Sequence, residues 1–405
     1  MPPFEVAVTG LGLVTPAGAD VAENWDRVRS GRSCASLDET LPDPTVTCRV
    51  RGFDADAALG PFAARQTERF VQLAVVAARQ AVADAGWDTG AWDGARVGIV
   101  LGNSLGGMQS VERQHANLLG GDPRAVSPLL LPMFMVNMVS GYVAIDLDAR
   151  GPSQVTATAC ASGTTAVGTA RELLRSRACD IVVAGGTESA LTPLVLAAFR
   201  RMGVLSRRCD EPATACRPFD VDRDGLVAAE GAGVLVLERL ADARARNAHV
   251  RAVVRGYGAA TDAYHVAAPE PNGRGIELAL RAALKDAQLT GSDVDHVNAH
   301  GTSTLQNDVI EARVLRRVLG GRSLVTSTKG VTGHALAAAG ALEAAYTVLA
   351  IEHGVVPPTA NLMTVDPAVE LDVVRAAERK APVEVAVSTS LGFGGHNAAL
   401  VFTAA

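Results

Sequence analysis

The 405-residue chain has little lysine. Of its 37 basic residues only Lys285, Lys329 and Lys380 are lysines, and the rest are arginine. With its many alanines and glycines this reads as the coding bias of a GC-rich bacterial genome, and it makes each retained lysine worth explaining. Cysteine is sparse as well. The six cysteines, Cys34, Cys48, Cys160, Cys179, Cys209 and Cys216, contain no C-x-x-C pair, which argues against a zinc site, a redox dithiol and a disulfide framework. Excess positive charge is missing: the formal net charge is −6, which excludes a general nucleic-acid binder. The glycine turn at Gly102, Gly106 and Gly107 is not followed by G-K-[ST], so it is not a nucleotide P-loop. Gly10 and Gly12 lack the third glycine of a dinucleotide fingerprint, Thr15 standing in its place. No basic-then-apolar leader precedes the first expected strand, Phe4 to Val8, so a cytosolic protein is expected. The uncharged stretch from Ser127 to Ile145 is just long enough for a membrane span. Pro128, Pro132, Asn137, Ser140 and Gly141 interrupt it, and it reads as an interior or subunit-interface segment, with no membrane role.

What is present is ordinary for a globular protein, 48% apolar and 20% charged. The length fits two or three domains, or one large duplicated α/β domain. An amphipathic helix is predicted from Arg65 to Ala85, with Phe70, Leu73, Ala74, Ala77 and Ala81 at helical spacing and Gly86 as its stop. Short apolar strands at 96–101, 181–186, 232–240, 250–255, 295–299, 323–326 and 384–390 alternate with helical stretches such as 275–287 and 336–352. That alternation predicts a mostly parallel α/β layering. The second half begins near His249. Val155-Thr156-Ala157-Thr158 is echoed by Val325-Thr326-Ser327-Thr328, each followed by a small-residue helix, a trace of internal duplication.

The stretch from Val155 to Glu172 reads as a strand, a sharp turn with Cys160 at its apex, and a helix starting at the thiol. Its small neighbours Ala159, Ala161, Ser162 and Gly163 leave the sulfur approachable. A helix N-terminus there favours the thiolate, a strong nucleophile toward a thioester. On these residues alone, a buried structural cysteine is the stronger description. Three later stretches bear on it. His300 ends a strand in VNAHGTSTLQNDVIE, Lys329 and His334 lie in STKGVTGHALAAAGALE, which also carries Glu343, and Phe393 stands among the glycines of STSLGFGGHN.

TACASG around Cys160, NAHGTST around His300, STKGVTGH from Lys329 to His334 and GFGGHN around Phe393 run in this order along the chain. TDAYHVAAPEPNG around His265 and RPFDVDRDG near Asp220 accompany them. Together they resemble the elongating β-ketoacyl-acyl-carrier-protein synthases of the thiolase-like superfamily over essentially the whole chain.

The resemblance implies an α/β, thiolase-like fold with duplicated halves in a five-layered αβαβα arrangement. Residues 1–248 would form the nucleophile half and 249–405 the histidine half. It implies an acyltransferase that carries out decarboxylative Claisen condensation of malonyl-acyl carrier protein with an acyl chain on Cys160, in fatty-acid or type II polyketide or polyene biosynthesis. His300 and His334 would bind the malonyl thioester oxygen. Lys329 and Glu343 would form a buried pair orienting His334. The N–H groups of Cys160 and Phe393 would form an oxyanion hole, and Phe393, Gly394 and His265 would lie on gating loops. Val111, Phe134, Thr302 and Thr304 would line the substrate tunnel, Phe134 acting from a neighbouring subunit. Arg65, Arg69, Arg124, Arg207 and Arg208 would dock the carrier protein, although Gln66 and Ala125 stand where basic residues are frequent. Leu305 and Leu391 depart from the family's usual proline and phenylalanine. No metal and no resident cofactor are implied, the substrates riding on the carrier's phosphopantetheine arm. The partners would be acyl carrier protein and a second subunit, in a homodimer or in a heterodimer with a chain-length-factor-like protein. The alternative is that the chain is itself such a non-catalytic partner, which the presence of Cys160 opposes.

Overall fold

Glycines on the opening strand of each half set how closely helices approach the sheets. The computed structural model describes residues 4–405. The first half contains β1 (Val6–Val14), α1 (Arg69–Asp84), β2 (Val97–Gly102), α2 (Met108–Leu119), α3 (Met138–Asp146), β3 (Ser153–Thr156), α4 (Ser162–Arg175), β4 (Ile181–Glu188) and β5 (Gly231–Arg239). The second contains β6 (Ala252–Thr261), α5 (Arg274–Ala287), β7 (His296–Asn298), α6 (Leu305–Leu319), β8 (Leu324–Thr326), α7 (Ala339–His353), β9 (Val385–Gly392) and β10 (His396–Thr403). A Cβ on Gly10 would stand 2.1 Å from the Ala81 carbonyl oxygen of α1, and one on Gly12 1.8 Å from that of Ala77. Gly256 and Gly258 on β6 repeat this against Ala283 and Ala279 of α5, at 2.2 and 2.1 Å. The Gly-x-Gly near the N-terminus is therefore a helix–strand contact, present once per half.

The strand order is β3-β2-β4-β5-β1 in the first half and β8-β7-β9-β10-β6 in the second, where the short strand Asp372–Val373 adds in parallel at the β8 edge. In each, the second strand runs parallel to the third and fourth, while the fourth, fifth and first are antiparallel neighbours. The halves join edge to edge where Val6–Val8 pairs antiparallel with Ala252–Val254. The sheets are thus mixed rather than mostly parallel. In the second half the reason is local: β9 returns as β10 through the three-residue turn Phe393–Gly395, a connection that only antiparallel strands allow. β10 carries no expectation from the sequence, because the glycine-rich turn before it reads as a loop.

Helices α4 and α7 cross between the two sheets, α1 covers the first sheet from outside, and α5 covers the second, as does α6 through Ala312, Leu315 and Leu319. This gives five layers. Residues of β2 and β4 are buried throughout, which is why they read as continuous apolar runs. The amphipathic helix expected over 65–85 is two: Pro61–Gln66, then α1 from Arg69, separated by Thr67 in extended conformation. The Ser127–Ile145 stretch is also divided, into Leu130–Phe134 and α3. Among the described residues no helix is long and apolar enough to cross a membrane.

Candidate active site

Each half carries the same elbow after its third strand. Beyond β3 the chain passes Ala159, with a φ of 49°, turns through a 3-10 segment and begins α4 at Ser162. Beyond β8 it passes Leu336, also with a φ of 49°, turns likewise and begins α7 at Ala339. Left-handed backbone at a non-glycine residue persists only where its surroundings enforce it. At the first elbow the Ser162 hydroxyl accepts from the Thr158 N–H (2.9 Å) and donates to the Ala159 carbonyl (2.6 Å). The residue after Ala159 is Cys160, and the residue after Leu336 is Ala337.

The second half supplies its chemistry from two other points. His300 follows the tip of β7, and His334 sits in the loop before α7, where its N–H donates to the Val227 carbonyl at 2.7 Å. Cys160 Sγ lies 3.1 Å from His334 Nε2, and the rings of His300 and His334 meet edge-on with centroids 5.2 Å apart. All three side chains are buried.

Lys329 and Glu343 form a buried ion pair, but the lysine addresses His300 rather than His334. Its Nζ donates to the His300 carbonyl at 2.6 Å and lies 3.3 Å from His300 Nδ1. The expectation that the pair orients His334 is corrected by strand register: β7 and β8 run parallel, Asn298 beside Thr326, so a residue just beyond β8 reaches the tip of β7. An ammonium can only donate. Donation to Nδ1 leaves the proton of neutral His300 on Nε2. The donor atoms of Cys160, His300 and His334 lie within 4.8 Å of one another, yet a protonated Nε2 is not a metal ligand, so the trio does not suit an ion.

Glu311 was not singled out in the sequence. Its buried carboxylate accepts from the N–H groups of His300 and Gly301, both at 2.8 Å, and from the Thr389 hydroxyl at 2.6 Å. The signal was there: Asn307, Asp308 and Glu311 put three polar residues on the buried face of α6.

Burial dominates the electrostatics. It pushes the Cys160 thiol up from 9.0 to about 11, against Lys329 and a hydrogen bond from the Phe393 N–H. Burial, and then the charge of Lys329, hold His300 and His334 well below 6.5. Burial raises Glu343 to about 7 although Lys329 opposes it. The resting trio is therefore a thiol and two neutral imidazoles. Desolvation of the sulfur thus opposes the thiolate that a helix N-terminus favours.

The trio lines a cavity of about 500 Å³. Residues 4–243 match the family model of the beta-ketoacyl synthase N-terminal domain, and residues 251–363 that of its C-terminal domain. The chain belongs to the β-ketoacyl synthase family. It is similar to 3-oxoacyl-[acyl-carrier-protein] synthase 2 of Synechocystis sp., 42% identical with 98% of this chain and 97% of the relative covered. Among solved structures it is similar to the ishigamide ketosynthase/chain length factor, with a TM-score of 0.93, 34% identity and full coverage of both chains. It is also similar to a type II PKS acyl-carrier protein in complex with its ketosynthase bound to the hexaketide, with a TM-score of 0.92, 32% identity and full coverage of both chains.

In this β-ketoacyl synthase the end of β9 presses on the Cys160 elbow. A Cβ on Gly392 would stand 2.5 Å from the Thr158 carbonyl and 3.1 Å from the Cys160 nitrogen. The close approach brings the Phe393 N–H within hydrogen-bonding reach of the Cys160 sulfur. Gly394 N–H donates to the Val266 carbonyl (2.8 Å), tying the Phe393 turn to the loop of His265, which also lines the cavity.

Thr302 and Thr304 line one wall, with their hydroxyls 2.8 Å apart, and Leu391 and the exposed Leu305 line it too. Val111 and Phe134 do not line it. Val111 lies nearly a turn into α2, while Leu105 in the preceding loop and Met108 at the start of α2 pack near Cys160 with Val195 and Phe199. Phe134, the residue expected to act from a neighbouring subunit, is half-buried, and its carbonyl accepts from the Gly107 N–H at 3.1 Å.

Of the five arginines, Arg65, Arg124 and Arg207 are exposed. Arg69 is committed internally: it forms a bidentate pair with buried Glu230, both bonds 2.9 Å, and donates to the Val50 carbonyl. It is removed from the docking set because its guanidinium satisfies a buried carboxylate. Arg208 donates to the Asp222 carbonyl at 2.8 Å, and Arg124 pairs with Asp122 at 3.2 Å.

Proposed function

We infer that the chain catalyses decarboxylative Claisen condensation between malonyl-acyl carrier protein and an acyl chain held on Cys160. The observation that carries this reading is the 3.1 Å approach of Cys160 Sγ to His334 Nε2, with His300 alongside, all three lining the cavity. Acyl transfer first moves the chain from the carrier's pantetheine sulfur to Cys160. The thiol proton leaves, and the pantetheine thiol takes up a proton as it departs. The developing oxyanion is received by the N–H groups of Cys160 and Phe393. Malonyl-carrier then places its thioester oxygen toward Nε2 of His300 and of His334. Loss of carbon dioxide leaves an enolate, whose charge develops where two N–H donors are aimed. Its α-carbon attacks the acyl-Cys160 carbonyl, a carbon–carbon bond forms, and the Cys160 sulfur leaves and regains a proton. Lys329 fixes the His300 tautomer that makes Nε2 a donor. Glu343 balances the lysine, and Glu311 anchors the His300 backbone.

No resident cofactor enters these steps, since the substrates arrive on the carrier's arm. Arg65, Arg124, Arg207 and Arg208 are the docking candidates for the acidic carrier. The unpaired edge of β3 and the exposed Leu119, Leu131 and Ile145 form a face suited to a second subunit. The halves are taken to divide between residues 248 and 249, and the location to be cytosolic. A chain-length-factor role needs no nucleophile, whereas here the nucleophile and both histidines are assembled. Intact mass after incubation with acyl-carrier protein tests the reading. The parent protein gains one acyl group and Cys160→Ala gains none, while Cys160→Gln still decarboxylates malonyl-carrier protein. Acylation of the Cys160→Ala protein at the parent rate would discard the mechanism. Mass and activity of the protein purified alone separate a homodimer, the fatty-acid arrangement, from an obligate heterodimer, the polyketide one.

A further inference from the structure

The mechanism uses no residue of β4, yet β4 ends in a fully buried carboxylate behind the nucleophile. Glu188 has no exposed surface. Its partners are all neutral N–H groups. Oε2 accepts from the N–H groups of Ser104 (3.1 Å) and Leu105 (3.3 Å), Oε1 accepts from Asn103 Nδ2 (3.1 Å), and the Ser189 N–H adds a fourth. Burial raises this carboxyl to about 8 against those donors. A buried acid with no cationic partner is costly, so its place calls for an explanation.

The loop it gathers supplies one. Asn103 Nδ2 also donates to the Thr187 carbonyl (2.9 Å), while Asn103 Oδ1 accepts from the Gly106 N–H (2.9 Å), closing the loop on itself. Ser104 Oγ donates to the Ala159 carbonyl at 3.2 Å and lies 3.2 Å from Ser162 Oγ. Ala159 and Ser162 are the two residues that define the Cys160 elbow. Leu105, next in the loop, packs in the apolar cluster that contains Cys160. At the far end Gly107 N–H donates to the Phe134 carbonyl. One carboxylate thus fixes both the backbone that presents the sulfur and the apolar wall beside it. Neither histidine hydrogen-bonds to this loop: His334 is held by Val227 and Ala229, and His300 by Lys329 and Glu311.

We propose that Glu188 is a positioning residue for the acylation half of the reaction: through the Asn103–Leu105 loop it holds the Cys160 elbow and the adjoining wall of the acyl site, and it has no part in decarboxylation. The inference rests on the condensing function above and assigns a residue to one of its two half-reactions. Glutamine at this position keeps the shape but turns an N–H₂ toward N–H donors, so at least one of the loop's bonds is lost.

The test uses the full chain and reads the half-reactions separately. Acylation of Cys160 by acyl-carrier protein is timed by intact mass in the parent, Glu188→Gln and Ser104→Ala proteins. Decarboxylation of malonyl-carrier protein is timed with each change placed on Cys160→Gln. Displacing the elbow slightly should slow acylation by about tenfold or more in Glu188→Gln and severalfold in Ser104→Ala. Decarboxylation should stay within about twofold of Cys160→Gln, the histidines being held elsewhere. Equal loss of both half-reactions, or no loss of acylation, overturns the proposal. If Glu188→Gln does not fold, Ser104→Ala decides by the same two outcomes. A parent protein that takes no acyl group refutes the condensing reading instead, which keeps the two failures apart.

Discussion

The two halves share strand order, strand sense, a Gly-x-Gly helix contact and an elbow with a left-handed alanine or leucine, yet they do different chemistry. In the proposed mechanism the first half has its reactive atom on the elbow, at Cys160, and two residues beyond its second strand, the place of His300 in the other half, it has Ser104, which bonds to the elbow. The second half has Ala337 on the elbow, and at its second-strand tip it has His300. The duplicated scaffold thus offers two kinds of position in each copy, and each half uses one of them. His334 completes the site by crossing over: it belongs to the second half, but residues of the first, Val227 and Ala229, hold its backbone. Division of labour between copies explains why the trio draws on both halves rather than on either one alone.

The comparison breaks most clearly if the histidines are not confined to decarboxylation. His300→Ala and His334→Ala should each lower malonyl-carrier decarboxylation by about 10²–10³, the usual cost of removing one donor from a developing oxyanion. Acyl transfer to Cys160 should be partly spared. Carbon dioxide release and intact mass measure the two on the same preparation. If either variant lost both reactions to the same extent, the halves would not be functionally separable.

Much of this was legible in the chain. TACASG, NAHGTST and STKGVTGH mark the three residues that the structure brings together and to which the proposed mechanism gives the chemistry, a nucleophile and two aimed donors. The VTAT and VTST echo marks the duplication because both strands must fit the same elbow. What stayed hidden was interaction across register or across layers. That Lys329 serves His300 follows from the parallel pairing of β7 with β8, and no local pattern encodes it. Arg69 read as surface because its partner, Glu230, is distant in sequence and fully buried. Glu188 closes a strand that reads as apolar core, and only the fold brings the Ser104 loop to it.

A smaller effect concerns the charge state shared by the halves. With the Cys160 thiol at about 11 and His334 well below 6.5, the contact between them is neutral at pH 7. Alkylation of Cys160 by iodoacetamide should then rise by about tenfold per pH unit from pH 7 to 9 without a plateau, following the thiolate fraction. A plateau starting near pH 6 would reveal a thiolate–imidazolium pair and overturn the neutral description. The sign for stability follows from the same shift. A thiol raised on folding stabilises the fold fully below its ordinary value of 9.0 and loses that contribution as pH climbs toward about 11.

The smallest effect tests the symmetry itself, at the crossing of α4 and α7. A Cβ on Gly163 would stand 2.6 Å from the Ala341 nitrogen, and a Cβ on Gly340 would stand 2.1 Å from Thr164 Oγ1 and 2.8 Å from the Thr164 nitrogen. Each glycine lets the other half's helix approach. Gly163→Ala and Gly340→Ala should therefore each destabilise the protein by about 1–3 kcal/mol, the usual cost of overpacking, read as a lowered denaturation midpoint. Their catalytic effects should differ. Gly163 lies one turn beyond Cys160 on the helix that carries the nucleophile, so Gly163→Ala should slow acylation severalfold. Gly340 occupies the same place on the elbow that carries Ala337, so Gly340→Ala should leave acylation near the parent rate. Equal slowing by both would mean that the crossing transmits strain evenly to the sulfur. The elbow of the second half would then be part of the nucleophile's support rather than its unused counterpart.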